Sequence, residues 1–545
     1  MITVTARPLS APVVAPHYRR RLYWLPLAIV LIGQALLSAR LISGSYASGD
    51  EGRYIYAGHQ LIYEFWHGGG SPYYETSFSG APVLYPVLAA VADSVGGLVA
   101  VCLMSTVFMG IATIMLFLVT RKLFGYWSAL LASGLFAGLG LTQDLGALAT
   151  YDGMSLMLIS IAAYCAVRTS DSNASNRPAK WLLITPVILL LANATKYMTI
   201  IFDPVVIALA ALQASSWKAA AKRIGSLGLA TLTLDSLFLF LAGSAYLRGL
   251  MFSTLSRRSG TSPVFAAVRA AEPVILADTW KWIGPLVAAS LLALLLAVLA
   301  KTDPKVIATI SLLILAGIIV TVEGLHLHTV ESMRKHDDFS AWFACAAAGS
   351  IAMHLHVRRL VSWIAPIVLC CAAVVFGIHY SLTARSTYEA GGSETTLQIA
   401  STLRPYLRLP NGRFLIGGLA NEQLIYIDGL GIHWYQLADD LYIKYPIPGR
   451  GGDSHGQVRG SACFSLHPGC MYLQGIAGYR AAIRAHWFDL ISMWGGHGTR
   501  QDAEIERAVE HTPGYVLIAV VDGAPTWVYA PAYRGEAAAL RRRLR

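Results

Sequence analysis

The sequence predicts a polytopic α-helical membrane protein of about eleven transmembrane helices, followed by a C-terminal α/β domain. Three observations carry this reading. Apolar residues make up 55% of the 545 and charged residues only 13%, about half the roughly 25% of soluble proteins, and the mean hydropathy is +0.53. Basic residues gather in every second loop between apolar runs. From about residue 381 those long runs stop. Such a composition excludes a disordered chain and argues against an all-soluble one. The net charge of +11 needs no nucleic-acid partner, because the cytoplasmic loops of membrane proteins collect Lys and Arg. The partner expected first is the lipid bilayer.

Taken in order, apolar stretches near the ~20 residues that cross the hydrocarbon core lie at 22–42, 98–120, 127–143, 152–167, 181–195, 198–214, 224–243, 282–300, 306–325, 339–356 and 360–380. Residues 1–21 form an N-terminal tail ending in Arg19-Arg20-Arg21. No small-residue cleavage site follows the first run, so it reads as a retained signal anchor. The shorter stretch at 82–92 is interrupted by Pro82 and Pro86 and reads as an interfacial or re-entrant helix.

With the N-terminus inside, the inside loops carry Arg19–Arg21, Arg121 and Lys122, Arg168 with Arg177 and Lys180, Lys218 with Lys222 and Arg223, Lys301 and Lys305, and Arg358-Arg359; only Asp171 and Asp303 oppose them. That alternation follows the positive-inside rule, and an odd number of spans puts the C-terminal tail outside. The expected organisation is a cytoplasmic tail (1–21), a transmembrane module (22–380) whose first extracytoplasmic loop is 43–81, and an extracytoplasmic domain (381–545). In that last part strand-like Arg413–Gly417 and Tyr515–Val521 alternate with helix-like Ala477–Ile491 and Asp502–His511, hence α/β. Cys463 and Cys470 fall there, where a disulfide is chemically permitted. Cys102, Cys165, Cys345, Cys370 and Cys371 lie within spans as packing residues. Arg541–Arg543 read as a solvated tail. There is no CxxC pair, zinc-ligand spacing or internal repeat.

Ionisable groups at membrane depth or just outside it are costly, and so are functional candidates. The first outside loop holds Ser48-Gly49-Asp50-Glu51-Gly52-Arg53-Tyr54, adjacent carboxylates within reach of a substrate at the membrane surface. An ordinary loop, with Asp50 capping a helix from Tyr54, reads the same letters. Asp152, in Tyr151-Asp152-Gly153, is either a cap or a second functional acid. Lys196, between two spans joined by almost no loop, is poorly explained by packing and calls for an anionic partner. The outside loop 244–281 holds Arg248, Arg257, Arg258, Arg269 and Lys281, and the next holds His326, His328, Arg334, Lys335 and His336 before Asp337-Asp338. Two basic clusters on one outer face point to phosphate recognition. A carboxylate that deprotonates a hydroxyl beside cations that hold a phosphate suits glycosyl transfer from a lipid-phosphate sugar. A divalent metal is compatible with that chemistry but not required by it.

At these residues the chain resembles the membrane-embedded GT-C glycosyltransferases, specifically the branch with protein O-mannosyltransferases and the lipid A aminoarabinose transferase. The resemblance covers about residues 20–215. It rests on Asp50-Glu51-Gly52-Arg53-Tyr54, Pro82-Val83-Leu84-Tyr85-Pro86, Thr150-Tyr151-Asp152-Gly153-Met154 and Thr195-Lys196-Tyr197, with Arg121-Lys122-Leu123-Phe124-Gly125 closing the second span. It implies a GT-C-like bundle whose extracytoplasmic site takes a polyprenyl- or dolichyl-phosphate sugar and inverts the anomeric carbon. Carried over by position, Asp50 is the catalytic base, Glu51 its acidic neighbour and Asp152 the second acid, while Arg53 and Lys196 contact donor phosphate. Arg257, Arg258, Arg334 and Lys335 join the phosphate-binding set from the basic loops. Two departures stand out. Gly80-Ala81-Pro82-Val83 replaces a PPL-type start, and Arg334-Lys335-His336-Asp337-Asp338-Phe339 stands where an Arg-Tyr pair often opens a span.

The rival class is a multi-span lipid or solute transporter or flippase without transferase activity. Transporters tend to carry inverted repeats and mid-membrane breaks, whereas here the charges gather at one outer face and no repeat is visible. The sugar and the acceptor (cell-wall glycan, lipid or protein hydroxyl) are not encoded legibly. Abundant Ala and Gly lean towards a bacterial plasma (inner) membrane.

Overall fold

Proline and glycine punctuate the helices. The computed structural model describes residues 24–42, 47, 49–67, 74, 78–169, 177–256, 258, 269–330, 333–354, 375, 379, 400–409, 411–417, 425, 431–438, 443–446, 472–493, 500–521 and 524–533. Helix α1 (Leu25–Ala39) carries proline in its first turn, where the missing N–H costs nothing. Helix α2 (Gly49–His67) starts at Gly49, so Asp50 and Glu51 lie inside its first turn rather than ahead of a helix beginning at Tyr54. Acidic residues there also complement the helix dipole. Helix α3 (Tyr85–Phe124) again opens on proline and is bent at Gly96 and Gly97, the latter at φ 63°. Glycine tolerates that conformation, so the stretch at 82–92, expected as an interfacial or re-entrant helix, lies in a short first arm from Tyr85 that the non-helical Gly96 and Gly97 set off from the rest of α3.

The expected span 127–143 breaks at Leu139 into α4 (Tyr126–Gly138) and α5 (Gly140–Ala147). Helix α5 then turns by 117° into α6 (Tyr151–Arg168). Helix α7 (Arg177–Thr195), a 3-10 turn (Tyr197–Phe202) and α8 (Asp203–Leu212) follow. Helix α9 (Trp217–Met251) bends at Gly243 and precedes α10 (Glu272–Leu299). Asp303 caps α11 (Pro304–Leu327) by accepting the Lys305 N–H at 2.8 Å; α12 (Met333–Gly349) ends the described bundle.

Among the described residues four helices are long and apolar enough to cross a membrane: α3, the 217–244 part of α9, α10 and α11; the bent pair α5–α6 makes a fifth if it is one span. Leu25–Ala39, Lys180–Thr195 and Tyr197–Leu212 are shorter apolar helices, so by this criterion the described residues give fewer spans than about eleven. The expected span 360–380 lies outside the described residues except for 375 and 379. Cys370, Cys371, Cys463, Cys470 and Arg541–Arg543 also lie outside them, whereas Cys102, Cys165 and Cys345 are buried thiols.

The bundle is apolar on its outside as well as within. Val95, Phe240 and Leu299 are 85%, 80% and 69% exposed, a surface that water would penalise and lipid covers. Inside, Phe202 stacks on Phe343 (centroids 5.3 Å) and Phe339 (6.1 Å), and Trp342 donates its indole N–H to the Ala112 carbonyl at 2.9 Å. Small residues let backbones approach where lipid supplies no hydrophobic drive. At the α2–α3 crossing, a Cβ on Gly58 would collide with the Pro86 carbonyl and lie 2.9 Å from Ala90 Cβ. That close approach presses α2, and Asp50 with it, onto the first arm of α3.

Beyond the bundle, β1 (Phe414–Ile416), β2 (Leu437–Ala438), β5 (Leu490–Ser492), β6 (Tyr515–Val521) and β7 (Ala524–Tyr529) form one mixed sheet of order β2-β1-β5-β7-β6; β3 (Lys444–Pro446) and β4 (Tyr472–Gln474) form a separate antiparallel pair. Strand β1 runs parallel to β2 and β5, and β7 antiparallel to β5 and β6. Alternation sorts the two faces. Leu415, Ile491 and Trp527 pack with α13 (Gly475–Arg484) and α14 (Arg500–Glu510). Phe414, Ile416, Leu490 and Val528 share a core with Tyr54, Ile55, Tyr56 and Tyr85 of α2 and α3. The buried Tyr56 hydroxyl donates to the Leu437 carbonyl at 3.1 Å, tying the sheet to α2.

Candidate active site

Four chain segments bring four charges together, each from a helix end; backbone polarity suits the two acids at helix N-termini and Lys196 after a C-terminus, and opposes Lys335. Asp50 comes from the first turn of α2 and Asp152 from the first turn of α6. Lys196 follows the last residue of α7, in extended backbone (φ −152°, ψ 120°). The loop at 79–81 holds that turn: the Tyr197 N–H donates to the Ser79 carbonyl at 2.8 Å, and the Ala81 N–H to the Ala194 carbonyl at 2.6 Å. Lys335 comes from the first turn of α12.

These charges pair across the site. The Lys335 ammonium donates to Asp50 Oδ2 at 2.6 Å, and the Lys196 ammonium donates to Asp152 Oδ1. The pairs differ in access. Asp152 and Lys196 side chains are 2% and 4% exposed, whereas Asp50 is 53% exposed and Lys335 25%. The Lys196 ammonium also lies 5.2 Å from the Tyr151 ring centroid and 5.9 Å from that of Phe339; Tyr151 in turn sits 4.5 Å from Tyr54. Neither acid acts as a helix cap: Asp50 is within the helix, and Thr150 occupies the capping position ahead of Asp152.

The positive charge of Lys335 holds the Asp50 carboxyl below its ordinary range, against the opposing push of burial; the Lys335 hydrogen bond adds to the lowering, Asp152 raises it and Lys196 lowers it again. Asp50 is therefore ionised at neutral pH and reachable from solvent. We expect Lys335→Met to move the acid limb of the pH–rate profile upward. Removing the charge deletes the largest lowering influence and leaves burial, so Asp50 protonates at higher pH and its deprotonated fraction falls sooner on acidification. The position of the limb in kcat/KM against pH is the readout; a limb unmoved by the substitution would separate Lys335 from Asp50 function.

Other sequence candidates have different surroundings. Glu51 is buried and accepts the Ala149 N–H at 2.6 Å, pinning the elbow between α5 and α6. Arg334 reaches Asp144 Oδ2 with Nε at 2.7 Å and also with Nη2. Arg53 is half-buried on α2, Arg258 is exposed just after α9, and Arg257 lies outside the described residues. Asp144 was not singled out from the sequence, although an acid in Leu141-Thr142-Gln143-Asp144-Leu145 at a span's edge is the same signal that marked Asp152. Trp282, whose ring lies 5.4 Å from the Arg334 guanidinium, carried no such mark; Glu323, near the end of the expected span 306–325, did carry it but was not singled out, and it meets His336 of the basic loop at 4.0 Å. Among the described residues no group of three or more His, Cys, Asp or Glu is placed to hold a metal ion.

The fold and the sequence both have relatives. Over 93% of this chain and 97% of the other, the fold is similar to ArnT from Cupriavidus metallidurans bound to undecaprenyl phosphate, with a TM-score of 0.58 at 11% identity. The archaeal oligosaccharyltransferase AglB from Archaeoglobus fulgidus, in complex with an inhibitory peptide and a dolichol-phosphate, is similar over 76% of this chain and 64% of its own, with a TM-score of 0.50 at 12% identity. The fold is therefore shared with these two membrane proteins. No curated protein sequence matches the chain. Residues 81–241, from the loop before α3 into α9, match the profile of the dolichyl-phosphate-mannose-protein mannosyltransferase family.

Proposed function

We propose that this protein moves a sugar from a polyprenyl-phosphate donor to a hydroxyl of an extracytoplasmic acceptor, inverting the anomeric carbon, with Asp50 as general base. The observation that carries it is the half-exposed Asp50 carboxylate, kept ionised by Lys335 at 2.6 Å, beside the buried Asp152–Lys196 pair. The acceptor oxygen attacks the anomeric carbon as the bond to the phosphate oxygen breaks. Asp50 takes the hydroxyl proton, and the polyprenyl phosphate leaves with the bonding electrons. An ammonium has three donors, so Lys335 has donors left for a phosphate oxygen while facing Asp50. Arg53 and Arg258 are the further cations of this reading, with Arg257 next to Arg258 in sequence.

In this reading Asp152 and Lys196 are the rigid inner half of the site, and Glu51 holds the α5–α6 elbow that presents Asp152. Residues 22–380 make the catalytic module of the inner membrane, with the site and the domain 381–545 on the extracytoplasmic side. The undecaprenyl phosphate on ArnT and the dolichol-phosphate on AglB support a lipid-phosphate donor for this chain too.

The test is donor cleavage by the purified protein in detergent, with radiolabelled polyprenyl-phosphate mannose and, separately, polyprenyl-phosphate arabinose, each mixed with extracted envelope acceptors. Label leaving one of the lipids is the expected result and names the donor. Retention of label on both would move the reading towards a transporter.

A further inference from the structure

Helix α12 turns two adjacent faces towards two different neighbours. Arg334 and Asp338, four residues apart and so on one face, both meet α5: Arg334 through Asp144, and Asp338 by accepting the Thr142 hydroxyl at 2.8 Å. Lys335 is one residue round the helix and meets Asp50; Phe339, four beyond it, lies against the Lys196 ammonium. One face is clamped and the next lines the site. The clamp is well built. The Asp144 side chain is 2% exposed, and Arg334 approaches it with two nitrogens while packing on Trp282 of α10. A guanidinium fork fixes direction as well as distance.

We propose that Asp144 is a positioning residue: by gripping Arg334 it sets the rotation of the first turn of α12, and so aims the neighbouring Lys335 at Asp50. The consequence for activity rests on the reading of Asp50 as the base; the clamp itself does not. Arg334, which its basic loop marked for donor phosphate, serves the site through its neighbour instead. Because Asp144 and Asp152 stand on the two arms of the α5–α6 elbow, the same bent segment orients Lys335 from one arm and pairs Lys196 from the other.

Two readouts on the purified full chain test this. With whichever labelled polyprenyl-phosphate sugar the wild type consumes, Asp144→Asn should lower kcat about 10- to 100-fold, the loss that an ångström-scale misplacement gives, with a smaller rise in donor KM because Lys335 also faces the phosphate. Separately, acetylation of Lys335 by an N-hydroxysuccinimide ester, followed by mass spectrometry, should be several-fold faster in Asp144→Asn than in wild type. Arg334→Lys keeps the charge and loses the fork, and should fall between the two on both readouts. If Asp144→Asn does not fold, Arg334→Lys carries the test. Unchanged Lys335 labelling overturns the proposal, and so does a raised donor KM at unchanged kcat, which would return Arg334 to the phosphate. A wild type that cleaves no donor counts against the functional reading alone, because the labelling comparison still decides the clamp.

Discussion

Asp50→Asn is expected to lower sugar transfer by about 10²–10⁴-fold, the range that a positioned general base contributes. The exchange keeps the shape of the side chain and removes its ability to take a proton. Little stability should be lost, because the Asp50–Lys335 pair is half-exposed and exposed ion pairs contribute about 0–1 kcal/mol. The loss should therefore appear in kcat, with the melting temperature in detergent and donor-lipid binding close to wild type. Asp50→Glu, which retains the charge but moves the carboxylate by one methylene, should recover only part of the rate. An Asp50→Asn protein with full transfer activity would remove Asp50 from the mechanism and leave Asp152 as the carboxylate to examine.

The second large effect is on the fold. Asp152 and Lys196 are almost wholly buried and paired. Removing one partner of such a pair costs about 3–5 kcal/mol, since the other charge stays behind in a low-dielectric interior. Lys196→Met should therefore lower the melting temperature in detergent markedly. In Asp152→Asn/Lys196→Met no uncompensated charge remains, and most of that stability should return, giving a strong favourable coupling in the double-mutant cycle. Activity should not return with it, because the inner charges of the site are then gone. Additive losses in the cycle would show that the two side chains do not depend on each other.

These two predictions mark how far the sequence could be read. Asp50, Asp152, Lys196 and Lys335 were legible because ionisable groups beside long apolar runs are expensive and stand out as soon as the runs are seen. Their pairing was not legible. Lys335 meets Asp50 across a sequence separation of 285 residues, and Lys196 meets Asp152 across 44; no local periodicity encodes either. Glu51 shows the limit most clearly. Beside Asp50 it reads as half of an acidic pair, but adjacent residues on a helix point about 100° apart, and that rotation buries Glu51 against the Ala149 N–H while Asp50 stays open. Arg334 and Lys335 split in the same way, one to Asp144 and one to Asp50.

By itself, then, the sequence determined the solvent of this protein, the order of its apolar helices, and a short set of charges that could not be there for packing. Composition and hydropathy are properties of the chain and survive any arrangement of it. Only the tertiary structure decided which arm of a broken helix faces the site, how the arm from Tyr85 turns at Gly96 and Gly97 into the span that follows, and which cation neutralises which acid. Those outcomes depend on helix rotation and on close approaches such as Gly58 against Pro86, where a turn of one residue exchanges a buried partner for an exposed one.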